Sequence, residues 1–159
     1  MITLRSIHPQ EIGAVKEPLE TVFQALCSIS YAELQAWYDP LVDVEHIESY
    51  YFENDGTCMV IADDDQLIGI GGINRVDADA AKLMGIFLLK EYRSRGLGRR
   101  LVEFLLEFAR MNGYGRVRLM VATPDLQLEA VGLYTCLGFC PLSTNPNNSK
   151  ELHMVLEFA

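Results

Sequence analysis

Glu91-Tyr92-Arg93-Ser94-Arg95-Gly96-Leu97-Gly98-Arg99-Arg100-Leu101 separates two apolar segments of different period. Ile86-Phe87-Leu88-Leu89 runs ahead of it, and Leu101 to Met111 behind it spaces its apolar residues as a helix does. The run therefore reads as a strand, a glycine-bearing loop and the opening of a helix. Glycines at 96 and 98 let backbone N–H groups approach a ligand with no side chain between. At a helix N-terminus those groups carry partial positive charge, which suits a phosphate or pyrophosphate. Arg93, Arg95, Arg99 and Arg100 add positive charge here, on a chain whose net charge is −9. The loop thus points to an anionic ligand.

Two familiar phosphate loops are excluded. A P-loop needs Gly, four residues, Gly, Lys and then Ser or Thr, and no such run occurs. A dinucleotide fingerprint needs a third Gly or Ala three residues after the second Gly, where this chain has Leu101. What stands at 93–98 is Arg-x-x-Gly-x-Gly. With the strand before it and Leu133-Tyr134-Thr135-Cys136-Leu137-Gly138-Phe139 after it, the chain resembles the GNAT superfamily of N-acetyltransferases. The likeness covers residues 57–158 in order and spacing, and the preceding part more loosely.

The resemblance implies a single N-acetyltransferase domain over 1–159, with the α/β acyl-CoA N-acyltransferase (GNAT) fold. Its sheet is mixed and mostly antiparallel, with helices on both faces and a splay between central strands that holds the cofactor. It implies transfer of an acetyl group from acetyl-CoA to an amine, by direct attack in a ternary complex, with no metal. The alternative is a catalytically degenerate member that binds an acyl-CoA as a sensor or interaction module. Backbone amides from Arg93 through Ser94, Arg95, Gly96 and Leu97 to Gly98 would hold the pyrophosphate, with the side chains of Arg93, Arg95 and Arg99 as charge partners. Main-chain groups of Phe87 and Leu88 would pair with the pantetheine arm, one N–H aimed from a bulge at the thioester carbonyl. The family often places a Glu general base early in this strand, where this chain has Lys82. Tyr134 takes the place of the proton donor to the leaving thiolate, or packs in the core with its hydroxyl tied to a neighbour. Gln127 matches an amide side chain near the pantetheine. Trp37, Tyr38, Tyr50 and Tyr51 are candidates for the acceptor pocket, or ordinary packing aromatics.

The rest of the composition agrees. The chain has 159 residues, 50% of them hydrophobic, and a mean hydropathy of +0.11. That is one domain with one sizeable core. No apolar run approaches the roughly 18 residues of a membrane span, and the N-terminus lacks a leader pattern. A cytoplasmic protein is expected, with neither membrane nor nucleic acid as partner, since a pI near 4.7 leaves no broad basic face. Acidic residues crowd 39–65 as a solvated surface or as a lure for a cationic amine. The acceptor is a small molecule or a protein, and dimers are common in the family. Cys27, Cys58, Cys136 and Cys140 and the three histidines show no metal-ligand spacing.

Along the chain, strands are expected at 2–7, 57–62, 66–76, 82–89, 116–122, 139–142 and 151–158. Helices are expected at 10–26, 31–38, 44–52 and 97–112, and from Thr123-Pro124-Asp125 to Leu137. The order suits a mixed α/β layer fold.

Overall fold

The structure is a computed structural model that describes residues 1–7, 51–121, 127–142 and 152–159. Its strands are β1 (Ile2–Ser6), β2 (Thr57–Asp63), β3 (Gln66–Arg75), β4 (Ala80–Leu88), β5 (Arg116–Val121), β6 (Cys140–Pro141) and β7 (Leu152–Glu157). Its helices are α1 (Leu97–Met111) and α2 (Leu128–Cys136). The helices expected at 10–26 and 31–38 lie outside the described residues, as does 44–52 up to Tyr50. Phe52–Asn54 is one turn of 3-10 helix.

One seven-stranded sheet runs in the order β1-β2-β3-β4-β5-β7-β6. All neighbours are antiparallel except β4 and β5. The Asp64-Asp65 turn closes the β2–β3 hairpin, with Asp64 at φ 51, a left-handed conformation that Asp tolerates. The next turn is held by one carboxylate. Asp77 Oδ1 accepts the N–H groups of Asp79 and Ala80, each at 2.8 Å. Those two bonds favour the charged form and lower the pKa of Asp77. A depressed folded-state pKa contributes stability that is complete above the ordinary carboxylate range and is lost as pH falls through the depressed value. Asp77→Ala is therefore expected to lower the melting temperature near neutral pH, with the gap to the unsubstituted chain closing in strong acid. A gap that persists unchanged at low pH would remove the charge from this account.

β4-α1-β5 and β5-α2-β6 are crossovers between parallel strands that progress in the same direction across the sheet. Right-handed connections of that kind put both helices on one face. Leu101, Leu105 and Tyr134 accordingly share one core cluster with Ile61 of β2, Ile73 of β3, Leu83 of β4, Leu119 of β5 and Met154 of β7. The opposite face is buried as well, through Cys58, Val60, Ile70 and Met84. Burial raises the Cys58 thiol to about 12, so it stays protonated and inert.

The sequence places α1 well, because both ends carry glycine. Gly96 caps the start at φ 79 and Gly113 lies just past the end at φ 84. Gln127 stands at φ −125, ψ 43, outside helical values, so the described α2 begins at Leu128, and the start expected at 123 falls on residues that are not described. Residues 122–126 lie outside the described set. The strands expected at 139–142 and 151–158 are shorter, at 140–141 and 152–157.

Candidate active site

β4 and β5 pair only at Ala80↔Arg116, Ala81↔Val117 and Lys82↔Arg118. β4 then continues to Leu88 and β5 to Val121 without pairing to each other. The sheet opens there, and β4 presents a main-chain edge to the opening.

A bulge prepares that edge. On β3 the single residue Gly71 lies between Ile70 and Gly72, while their β4 partners, Phe87 and Met84, enclose two residues, Gly85 and Ile86. Gly85 takes φ 61, so the extra residue is the glycine, as in a glycine-first bulge. Beyond it the ladder is regular. Phe87 pairs with Ile70, and Leu89 N–H donates to Ile68 O at 2.8 Å. Residues 87 and 89 thus commit their main chain to β3. Alternation turns the main chain of Leu88 toward the opening, with that of Ile86 on the same edge. The two strand candidates differ in this respect: Leu88 faces the opening, whereas Phe87 is held in the sheet. Ile86 is an edge residue that sequence reasoning missed; its signal was the lone Gly85 inside a strand pattern.

The loop leaves β4 through the 3-10 turn Lys90–Tyr92. Ser94 takes φ 62 and Gly96 φ 79. α1 then begins with no side-chain cap among the described residues. Its first N–H groups have no helical acceptor by geometry, and the first helical bond is Arg100 N–H to Gly96 O at 3.1 Å. The first turn holds no acidic residue, and Arg99 and Arg100 follow Gly98. Positive side chains at this end oppose the helix macrodipole. An anion bound there would reverse that disadvantage.

Gly98 is the most telling residue. It is the second residue of α1, and among the described residues a Cβ added to it would meet only Leu133 Cδ2, at 4.0 Å. Neither its conformation nor its described neighbours require glycine, which is a poor helix former beside Ala. Gly96 differs, because its positive φ alone accounts for it.

The arginines are not equivalent. Arg93 folds back, its Nε donating to Leu88 O at 3.1 Å, and so ties the loop to the end of β4. Arg95 lies over the ring of Tyr92, 5.2 Å from its centroid. Arg99 Nε donates to Glu103 Oε1 at 2.9 Å, which raises its pKa. Arg100 flanks a groove of about 610 Å³ formed with Leu4, Met59, Phe104, Phe108 and Met111. That groove contains no other residue of the loop and neither Gln127 nor Tyr134, so it is not the opening between β4 and β5.

α2 closes the far side. Leu133 reaches toward Gly98, and Tyr134 is buried at 8% exposure, its ring edge-on to Phe139 at 5.8 Å. Gln127 is the half-buried residue just ahead of the helix. Lys82 sits in β4 at the last pair before the strands part, between Asn74 of β3 and Arg118 of β5. Tyr51 is buried at 2% exposure, its ring occupying the space a side chain at Gly72 would need, which makes it a packing residue. Trp37, Tyr38 and Tyr50 lie outside the described residues. Among the described residues no group of three His, Cys, Asp or Glu is placed to hold a metal ion, and no helix is long and apolar enough to cross a membrane.

Comparison with known proteins agrees with this architecture. Human N-acetyltransferase 8B is 34% identical over 103 residues, which is 61% of this chain and 44% of that protein. The chain thus spans less than half the length of that relative. An acetyltransferase from Streptococcus agalactiae superposes with a TM-score of 0.78 at 21% identity, covering 99% of this chain and 98% of that one. The PaiA N-acetyltransferase of Thermoplasma acidophilum, solved with coenzyme A, gives 0.74 at 18% identity, covering 99% of both chains. Both share the fold. Residues 20–139 match the acetyltransferase (GNAT) family, and with more than half its length matched the chain belongs to that family.

Proposed function

We propose that this protein transfers an acetyl group from acetyl-CoA to an amine. The observation that carries the reading is Gly98, a glycine that none of the described residues requires, set in a helix N-terminus with no side-chain cap among those residues and beside a cationic loop. The pyrophosphate lies on the amides of 94–98, the Arg93 N–H being engaged by Lys90 O at 3.2 Å, and the pantetheine arm pairs with the β4 edge at Ile86 and Leu88 as an added strand. An outward N–H on that edge stabilises the oxyanion that forms when the amine nitrogen attacks the thioester carbon. The C–S bond then breaks, the thiolate takes a proton from the Tyr134 hydroxyl, the amine proton passes to solvent, and the phenolate regains a proton from solvent. Arg95 and Arg99 face the phosphates, Arg93 and Ser94 shape the loop, and Gln127 borders the pantetheine.

Lys82, at the place of the family's usual Glu base, favours a second reading, an acyl-CoA-binding module without turnover. Free-thiol release from acetyl-CoA across a panel of amines separates the two. The nucleophile must be neutral, and an ordinary alkyl amine titrates near 10.4. The rate is therefore expected to rise with pH. The acidic stretch at 39–65 gives a modest preference for acceptors with a second positive charge. A panel in which anionic acceptors win by a wide margin would remove that preference. CoA binding without thiol release for any amine would establish the binding module.

A further inference from the structure

Among the loop arginines, Arg93 commits its Nε to Leu88 O, Arg99 is paired with Glu103, and Arg100 flanks the groove along α1. Arg95 has no described ion pair or hydrogen bond, yet its guanidinium is held over the face of Tyr92. Stacking fixes a guanidinium in place and leaves its N–H donors available to an anion. Tyr92 is itself fixed at three points. Its main-chain N–H closes the 3-10 turn on Leu89 O at 3.0 Å, and its ring packs against the edge of the core. Its hydroxyl donates to Asp63 Oδ2 at 2.9 Å. Asp63 ends β2, so the β2–β3 hairpin reaches across β3 and β4 to the loop.

We propose that Asp63 and Tyr92 are positioning residues that hold the Arg95 guanidinium for the phosphate groups of the coenzyme. The inference rests on the coenzyme reading above. Without the phenol bond the ring keeps only its turn and its packing against the core, and more of the ordering of Arg95 falls on the binding event. Without the ring the guanidinium loses its platform.

The test is a double-mutant cycle read by calorimetric titration with CoA and with dephospho-CoA. An exposed cation–π contact supports about a two- to five-fold effect on Kd, so Tyr92→Leu is expected to weaken CoA binding by about that factor. Arg95→Ala removes charge-assisted hydrogen bonds and is expected to cost about ten-fold or more. In the Arg95→Ala background, Tyr92→Leu is expected to add nothing, because it acts only through Arg95. Asp63→Ala should weaken CoA as Tyr92→Phe does, and Asp63→Asn, which keeps an oxygen acceptor, should restore near-normal affinity. A loss seen with CoA alone assigns Arg95 to the 3′-phosphate, and a loss with both ligands assigns it to the pyrophosphate. Additive effects in the cycle, or unchanged affinity in Tyr92→Leu, would overturn the positioning role while leaving the function intact. Failure of the unsubstituted chain to bind CoA would instead overturn the function.

Discussion

Gly98→Glu is expected to abolish CoA binding while the protein stays folded. The new side chain starts where the described residues leave room, since among them a Cβ at 98 meets only Leu133 Cδ2 at 4.0 Å. It also puts an acidic group in the first turn of α1, which has none, and so agrees with the helix dipole. The apo fold should therefore lose little and its melting temperature should hold. Binding is another matter. Two like charges about 4 Å apart cost about 4 kcal/mol at the effective dielectric of a protein surface. That alone is close to a thousand-fold in Kd, before the lost contact of the backbone amides. Gly98→Ala sharpens the test. Alanine favours the helix by up to about 1 kcal/mol, yet its methyl group stands between the backbone and the phosphate. Stability should rise or hold while affinity falls, a split that general misfolding does not produce. Undiminished affinity for CoA in both variants would sink the loop assignment.

The parts of this site carried by local chemistry were legible from the residues. Gly96 and Gly113 bracket α1, and the apolar stripe from Leu97 through Ala109 selects its buried face. The strands were legible too, because each alternates or runs apolar between turn residues. The opening between β4 and β5 was not, and it entered only with the family resemblance. It depends on where pairing stops, after Lys82↔Arg118, and both strands stay extended beyond that point. Periodicity describes a strand's faces, not its neighbours. The register of Phe87 and Leu88 was missed for a related reason. One extra residue at Gly85 decides which of them faces outward, and the pattern of side chains barely records it. The Asp63–Tyr92 bond joins residues 29 apart, from a turn read as solvated acid and a position read as loop. Arg93 read as a phosphate ligand because charge is visible in sequence, while the Leu88 carbonyl it donates to is not. The described α2 begins at Leu128 because the backbone at Gln127 is not helical, and the start expected at Thr123-Pro124-Asp125 lies outside the described residues.

Tyr134→Phe is expected to lower turnover about a hundred-fold and to leave CoA affinity nearly unchanged. The phenol is proposed to protonate the departing thiolate, an interaction present in the transition state and product but absent from the ground-state thioester. Removing it should lower kcat without changing the binding of either substrate. Loss of one general-acid group typically costs about 10²–10⁴-fold, and water admitted to the opening replaces part of it, which sets the expectation at the lower end. The ring itself is a packing element, buried and edge-on to Phe139 at 5.8 Å. Phenylalanine keeps that contact and its volume, so the melting temperature should shift little. A purely structural Tyr134 gives the opposite pattern, a modest loss of stability with normal turnover, since its hydroxyl would then serve only the fold. Turnover, affinity and melting temperature measured on this one substitution distinguish the two. Normal turnover would return the proton to solvent and leave Tyr134 as a core aromatic.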